Sequence, residues 1–201
     1  NRLNQISVRD KNSQDIIFEL AGKMVQIVCD PVILYGFNNE IRKMQKPIKD
    51  KYMLVYSYDN NMNDSEEIKH IVSYAKEHNF KIVSAGFYHK WCDLNINVTP
   101  IELINWVRHA QSVVTDTFHG SVISIIMNRP FISKIRGNRN KLAFLFEEYG
   151  LSDRETFDFS DIQTLFSNEI NYKKVTLVIK EKRQQSLDYI RKCLESVNNE
   201  K

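Results

Sequence analysis

The feature that most constrains the fold is one run of apolar and aromatic residues, Lys51-Tyr-Met-Leu-Val-Tyr-Ser-Tyr58. A nearly continuous apolar strand of this kind is typical of a parallel sheet that is buried on both faces. Strand-like and helix-like segments then alternate at short spacing from residue 51 to residue 150. This alternation predicts an α/β fold, a Rossmann-like, doubly wound parallel sheet with helices on both faces.

Capping residues mark where the helices of this region begin. Asp64, with Glu67 three residues further on, predicts a capping box. Thr99, Pro100 and Glu102 predict the start of another helix, because they combine a capping hydroxyl, a proline at the first helical position and a glutamate at the third. Both patterns predict helices of ordinary length between the strands.

Three parts of the chain differ in pattern. Residues 1–35 are interpreted as the trailing part of an N-terminal α/β domain or a linker, with Ser13 expected to cap a helix. Residues 36–175 are expected to form the Rossmann-like domain that binds the substrate, and residues 36–50 within it to be a polar connector. Residues 176–201 are expected to form a C-terminal helix.

Composition excludes several classes of protein. The 201 residues carry 28 Lys and Arg against 25 Asp and Glu, a net charge of +3, which indicates a mixed surface and no nucleic-acid partner. Cys29, Cys92 and Cys193 lack the spacing of a metal site or a disulfide framework. The apolar run from Val122 to Met127 is far shorter than the ~20 residues of a membrane span. We therefore expect a cytoplasmic protein without a metal.

The strongest candidate site is the turn from Thr115 to Ser121. We expect a strand over residues 112–115 and an apolar helix from Gly120 to Met127. In open parallel sheets, ligands bind outside the carboxyl ends of the strands. The backbone N–H groups at such a helix start favour an anion such as a phosphate or a carboxylate.

The side chains of this turn have distinct expected roles. Gly120 would let the backbone approach an anion closely, and Ser121 offers a hydroxyl. His119 could donate a hydrogen bond to an anion or move protons near neutral pH. Asp116 is expected to hold the turn or the imidazole ring of His119 rather than to act alone as an acid.

These residues, taken together with segments on both sides, resemble the C-terminal half of the polysaccharide pyruvyl transferase family. The resemblance covers most of residues 5–154, and the His-Gly segment together with the later Gly-Leu-x-x-Arg is its most specific part. The segments that carry it are Ile6-Ser-Val-Arg9, Asp30-Pro31, Lys51-Tyr-Met-Leu-Val-Tyr56, Thr99-Pro100, Thr115-Asp-Thr-Phe-His-Gly-Ser121, Ile126-Met-Asn-Arg-Pro-Phe-Ile132, Gly150-Leu151 and Asp153-Arg154.

The resemblance implies transfer of a pyruvyl group from phosphoenolpyruvate to sugar hydroxyls of a cell-surface polysaccharide precursor, either free or lipid-linked. It implies a two-domain fold like that of B-type glycosyltransferases, with no cofactor besides the phosphoenolpyruvate substrate. His119 would be catalytic, and Arg9 would hold phosphoenolpyruvate, since an arginine fork suits a phosphate or a carboxylate. Lys141 would be a second anion contact. The remaining contacts to phosphoenolpyruvate are expected from Thr115, Asp116, Gly120 and Ser121.

The sequence departs from the family at one position and leaves alternatives open. Thr117 stands where many members have arginine, so one cationic contact is missing or supplied elsewhere. The chain also begins where a member would be half finished, so we expect the acceptor-binding domain to lie upstream. A sugar-nucleotide glycosyltransferase of the same fold and a non-catalytic domain are the alternatives. Weaker candidates are a basic loop of Lys134, Arg136 and Arg139 for phosphate, and Tyr88, His89 and Trp91 for a sugar.

Overall fold

A six-stranded parallel sheet forms the centre of the protein. The computed structural model describes residues 5–136 and 139–199. The strands are β1 (Ser7–Val8), β2 (Gln26–Ile27), β3 (Tyr52–Tyr56), β4 (Lys81–Ala85), β5 (Leu94–Ile96), β6 (Ser112–Thr115), β7 (Phe131–Lys134) and β8 (Glu155–Thr156). The helices are α1 (Lys11–Ala21), α2 (Pro31–Tyr35), α3 (Asn38–Ile41), α4 (Ser65–Glu77), α5 (Pro100–His109), α6 (Phe118–Ile126), α7 (Arg139–Tyr149), α8 (Ile162–Ser167) and α9 (Tyr172–Asn199), with a 3-10 turn at Ser152–Arg154.

The strand order places the ligand crevice. The main sheet has the order β5-β4-β3-β6-β7-β8, and every neighbouring pair is parallel. Counted from β3, this is the 3-2-1-4-5-6 order of the Rossmann fold, which confirms the predicted fold class. The order reverses between β3 and β6, where Tyr56 pairs with Thr115. Because ligands of such sheets bind at this switch point, the predicted turn after β6 lies where the topology places a site.

The pattern of β3 explains why the sheet is covered on both sides. Tyr52 and Leu54 are fully buried in one hydrophobic cluster, which includes residues of α5 and α6. Met53 and Val55 are fully buried in the other, which includes residues of α4 and α8. Successive side chains of a strand point to opposite faces, so a continuous apolar run requires two helical layers. The prediction from this run is confirmed.

The two predicted helix starts are both found, with one difference. Thr99 and Glu102 form the reciprocal capping box at the start of α5. Asp64 caps α4 by accepting hydrogen bonds from the amides of Glu66 and Glu67. The carboxylate of Glu67 turns away from the cap and pairs with Lys134 at the end of β7. This pair ties α4 to the carboxyl edge of the sheet.

Some predicted boundaries are wrong. Asp10, not Ser13, caps α1, because its carboxylate accepts the Ser13 amide at 2.8 Å and the helix starts at Lys11. The connector at residues 36–50 contains the short helix α3. The short strands β5 and β8 were not predicted, since three or two residues carry too little periodicity to be recognised.

The segment before β3 forms a separate small sheet that the last helix fastens to the domain. β1 and β2 pair in parallel with each other. The hydroxyl of Tyr189 on α9 donates to the carbonyl of Ile6 at 3.0 Å, and the Cys29 amide donates to the hydroxyl of Ser186 at 2.9 Å. The first bond holds the amino end of β1 on α9, and the second holds the segment after β2 there. Within the described ranges, no helix is both long enough and apolar enough to cross a membrane.

Candidate functional site

The junction between β6 and α6 differs in one respect from its prediction. Helix α6 begins at Phe118, two residues before the predicted start at Gly120, because Thr117 is its N-cap. The Thr117 hydroxyl accepts the Gly120 amide at 2.9 Å. The amides of Phe118 and His119, the first two of the helix, have no intrahelical acceptor. An anion at this helix start would therefore meet the amides of Phe118 and His119.

Gly120 allows the helix to pack closely against the strand. A Cβ atom at this position would overlap the hydroxyl of Thr115 and would lie 2.8 Å from that of Thr117. Gly120 is buried, so its missing side chain serves the contact between α6 and β6. The close approach that the sequence assigned to a ligand is made here by Thr115.

Thr115 and Ser121 are fully buried and lie within this junction. The Thr115 hydroxyl donates to the carbonyl of Tyr56 at 2.6 Å, which links the ends of β6 and β3. The Ser121 hydroxyl bonds the carbonyl of Thr117 at 3.3 Å and the hydroxyl of Ser133 at 3.1 Å. Both hydroxyls therefore stabilise the turn from inside.

Asp116 holds the loops that surround the carboxyl edge. Its side chain is fully buried and binds Nε of Arg136 at 2.7 Å and Nδ2 of Asn61 at 2.5 Å. Arg136 follows β7 and Asn61 follows β3, so one carboxylate fixes the loops after three strands. This matches the expectation that Asp116 holds the turn, with Arg136 rather than His119 as its partner.

Arg9 and Lys141 line one cavity, although 132 positions separate them in the chain. We call it the charged cavity. It lies between the carboxyl end of β1, the start of α2, the start of α6 and helix α7. Its lining consists of Arg9, Asp10, Cys29, Asp30, Ile33, Phe118, Lys141, Phe144, Leu145 and Glu148.

Arg9 is held in this cavity by a buried carboxylate. Its Nη1 lies 2.6 Å from Oδ2 of Asp30, whose other oxygen accepts the Val32 amide and so caps α2. The Arg9 side chain keeps 44% of its exposure, and its Cζ lies 5.8 Å from the centre of the Phe118 ring. Guanidinium N–H groups that Asp30 does not use are thus available at the start of α6. Lys141 is exposed on α7.

His119 lies on the other side of Phe118, where an uncharged groove opens. We call it the aromatic groove. The His119 side chain is exposed, and its ring centre lies 5.5 Å from that of Phe118. The groove runs between the ends of β3 and β4 and helices α5 and α6. Its lining consists of Val32, Tyr56, Gly86, Phe87, Val98, Thr99, Pro100, Leu103, His119 and Ile123.

Burial affects the ionisation of one side chain in each compartment. In the charged cavity, desolvation raises the pKa of the Cys29 thiol, so Cys29 is protonated at neutral pH and is no nucleophile. In the aromatic groove, burial raises the pKa of the Tyr56 phenol, and the nearby Tyr58 adds to the shift. Tyr56 is therefore a neutral hydrogen-bonding group.

The weaker sequence candidates are mostly structural. His89 is buried, and its Nδ1 lies 2.8 Å from the Ser84 hydroxyl; the Trp91 indole donates to the carbonyl of Met62 at 3.2 Å. In the basic loop, Lys134 pairs with Glu67 and Arg136 with Asp116. The side chain of Arg139 lies outside the described residues. Across the ranges that the structure covers, no His, Cys, Asp and Glu side chains gather in a group that could hold a metal ion.

Two features of the site were not identified from the sequence, the pair of Arg9 with Asp30 and the contact of Tyr56 with Phe87. Only Asp30 lies in a recognisable local pattern. Asp30, the partner of Arg9, stands before Pro31, which is a pattern of a helix start and not of an ion pair. Tyr56 and Phe87 come together only through the pairing of β3 and β4. They are 31 positions apart, so no local spacing could have indicated the groove.

Two solved structures of carbohydrate enzymes are similar to this chain, and the first of them shares its fold. UDP-GlcNAc 2-epimerase from Methanocaldococcus jannaschii, in complex with UDP-GlcNAc and UDP, superposes with a TM-score of 0.52 at 12% identity, over 78% of this chain and 54% of that one. The glycosyltransferase SnogD from Streptomyces nogalater gives 0.48 at 11% identity, over 89% and 60%. The chain thus spans little more than half the length of these proteins. At this identity the first likeness shows the fold alone.

The family is shown by a different comparison. No curated protein matches the chain. The model of the polysaccharide pyruvyl transferase family matches residues 1–136, a range that contains Arg9 and the whole of helix α6 and ends before Lys141. Because this match covers more than half of the chain and includes the junction that positions His119, the chain belongs to the polysaccharide pyruvyl transferase family.

Proposed function

We propose that this chain binds phosphoenolpyruvate in the charged cavity and transfers its pyruvyl group to two hydroxyls of a saccharide acceptor. The observation that carries the proposal is the meeting of two cationic side chains, Arg9 and Lys141, with the first turn of α6 in one cavity beside the exposed His119. Membership of the family supports a transferase that modifies polysaccharides.

The charges of phosphoenolpyruvate fit this arrangement. The molecule carries a carboxylate and, on the adjacent central carbon, a phosphate. The free N–H groups of Arg9 form a planar fork that suits either anion, and Lys141 adds a mobile point charge. The N-terminal amides of α6 favour an anion as well, because the positive end of the helix dipole lies there. Asp30 keeps Arg9 in place through its 2.6 Å contact.

The chemistry requires proton transfer next to the bound anion. The methylene carbon of phosphoenolpyruvate takes up one proton and becomes a methyl group. One acceptor oxygen bonds to the central carbon, and phosphate leaves with its bridging oxygen. A second acceptor oxygen then bonds to the same carbon and closes the ketal. Of the two hydroxyl protons, one balances the methyl group and the other leaves with phosphate. His119 delivers the first proton, since it is exposed within the first turn of α6.

A thermal-shift titration tests the proposal. Phosphoenolpyruvate should raise the melting temperature of the chain, and at a concentration of 100 Kd it should stabilise the folded state by about 2.7 kcal/mol. The same titration of an Arg9→Ala variant should show a much smaller response. Equal concentrations of inorganic sulfate control for unspecific binding of anions.

The same titration separates the alternative, a glycosyltransferase that uses sugar nucleotides. That activity would place a diphosphate at the start of α6 and would require a further slot for a base. Stabilisation by UDP-sugars together with no response to phosphoenolpyruvate would contradict the proposal. No response to either ligand would favour a domain without catalysis.

A further inference from the structure

We infer that the aromatic groove binds a sugar ring of the acceptor by stacking it on a platform of Tyr56 and Phe87, which line the groove, and of Tyr58, which contacts Phe87 at its border. The identity of the acceptor as a saccharide rests on the proposed function. The platform stands beside His119, which lines the same groove. It would therefore hold the sugar against the edge of the bound phosphoenolpyruvate.

The first support is an exposed aromatic cluster at the switch point of the sheet. The ring centres of Tyr58 and Phe87 lie 5.1 Å apart with an interplanar angle of 67°, and those of Phe87 and Tyr56 lie 6.2 Å apart. Tyr58 is 57% exposed. Large aromatic surfaces left in water beside a cleft are typical of a surface that a ligand covers.

The second support is the rigidity of the loop that carries Phe87. Gly86 has a φ of +79°, which turns the chain after β4, and its amide donates to the carbonyl of Ile96 at 2.9 Å. The Ser84 hydroxyl donates to the Phe87 carbonyl at 2.6 Å. The Tyr88 amide donates to Oδ1 of Asp59 at 3.0 Å. The loop is thus tied to β5 and to the loop after β3, so a ligand would bind without the entropy cost of ordering it.

The third support is the absence of formal charge among the described residues that line the groove. Its lining contains no Lys, Arg, Asp or Glu, and its polar side chains are Tyr56, Thr99 and His119. A pyranose ring presents an apolar face of C–H groups and a rim of hydroxyls. The apolar face matches the aromatic platform, and the hydroxyls match these three polar groups. An anion such as phosphoenolpyruvate would lose its hydration here without gaining a contact to a Lys or Arg side chain.

The sequence alone favoured a different set for a sugar. Of Tyr88, His89 and Trp91, the last two pack inside the domain, as described above. Tyr58 ends the apolar run that the sequence assigns to a buried strand, yet it lies beyond the end of β3 and is exposed. The structure therefore moves the stacking surface from the segment around Trp91 to Tyr58 and Phe87.

Saturation-transfer difference NMR on the full chain tests the inference. The probes are methyl β-glucopyranoside, methyl β-galactopyranoside and methyl β-mannopyranoside, with uridine as a flat ligand of another class. At least one glycoside should receive saturation from the wild type, and Tyr58→Ala should reduce that signal roughly fivefold or more. Tyr58→Phe should keep it, because the ring remains.

Tyr35 offers a matched control. It is 62% exposed and meets Phe37 edge-on at 4.9 Å, much as Tyr58 meets Phe87. The partner ring makes the difference, because Phe87 lines the groove, whereas Phe37 lines neither the groove nor the charged cavity. Tyr35→Ala should leave the sugar signal unchanged. A melting curve of each variant shows whether the fold is intact.

The outcomes separate this inference from the proposed function. If the wild type transfers no saturation to any glycoside, if Tyr58→Ala equals the wild type, or if uridine binds and the glycosides do not, the inference is overturned. The thermal shift with phosphoenolpyruvate is measured on the same samples and should persist in Tyr58→Ala. If Tyr58→Ala loses the glycoside signal but the wild type does not respond to phosphoenolpyruvate, the proposed function is overturned and the sugar site stands.

Discussion

The charged cavity and the aromatic groove both adjoin the first turn of α6 and helix α2, yet they have no lining residue in common. Five of the ten side chains that line the cavity belong to Arg, Lys, Asp or Glu, whereas the groove has none. Lining residues of the cavity come from α2, α7 and the end of β1, whereas those of the groove include residues at the ends of the central strands β3 and β4. A single helix start therefore divides the site into one compartment suited to an anion and one suited to an uncharged ring.

Helix geometry explains the division. Successive residues of an α-helix point about 100° apart. Phe118, His119 and Gly120 are consecutive, so the three positions face three directions. Phe118 faces Arg9, His119 faces the groove, and Gly120 faces Thr115 on β6. The sequence Phe-His-Gly thus places a dividing ring, an exposed imidazole and a packing contact on one turn of the helix.

Removal of the His119 side chain should have the largest effect on the rate of transfer. Its effect on ligand binding in either compartment should be small. We expect His119→Ala to reduce transfer by ~10²-fold or more, since a general acid is lost. Release of phosphate from phosphoenolpyruvate in the presence of acceptor measures this. His78→Ala, at an exposed histidine on the far end of α4, is the control. Transfer by His119→Ala at the wild-type rate would contradict a catalytic role.

Removal of the Arg9 side chain should weaken ligand binding in the charged cavity and leave ligand binding in the aromatic groove unchanged. Arg9→Ala should weaken phosphoenolpyruvate binding roughly 10- to 100-fold, because a charge-assisted hydrogen bond is lost. It also leaves Asp30 buried without its partner, so the free energy of unfolding should fall by about 1–3 kcal/mol.

A double variant separates these two effects. Arg9→Ala with Asp30→Asn removes the unpaired charge and keeps an oxygen to cap α2. Chemical denaturation should show recovered stability, while calorimetry should still show weak binding of phosphoenolpyruvate. Recovered binding in the double variant would mean that Arg9 acts on the fold alone.

Lys141 should contribute less than Arg9. Lys141→Ala should weaken phosphoenolpyruvate binding roughly fivefold, because an exposed ammonium makes a screened contact. Its sugar signal in the NMR experiment should equal that of the wild type. Lys180→Ala, at an exposed lysine on α9, serves as the control for net charge. An equal loss in both variants would show that only the overall charge matters.

Ligand binding in the aromatic groove should be insensitive to moderately alkaline pH. Burial raises the pKa of Tyr56, so the folded chain holds this proton more tightly than the unfolded chain does. The phenol therefore stays neutral up to the unfolded value near 10, and ionisation costs stability only above it. Glycoside binding should be unchanged between pH 7 and about pH 9. A decline of glycoside binding within this range would contradict a neutral Tyr56 phenol.

The parts of the fold that follow from local patterns were predictable, and the site was predictable only in part. The apolar run of β3 and the Thr99 capping box specify their elements through nearest neighbours. The start of α6 was misplaced by two residues, because Thr117 caps the helix before the apolar run begins.

The compartments themselves depend on long-range contacts that no local pattern contains. Arg9 and Lys141 meet through the packing of the small sheet and α7 on α6, and the resemblance to the family named both residues without indicating that Phe118 separates them from His119. The exposure of Tyr58 was not predicted, because the apolar run continues past β3 and gives no sign that the chain leaves the sheet there.

The location of phosphoenolpyruvate in a crystal of the chain tests the central claim most directly. We expect the phosphate or carboxylate of phosphoenolpyruvate to lie within about 3 Å of the Arg9 Nη atoms and of Lys141 Nζ. Its methylene carbon should be directed past Phe118 toward His119. Phosphoenolpyruvate bound in the aromatic groove against Tyr56 and Phe87, with the charged cavity empty, would contradict it.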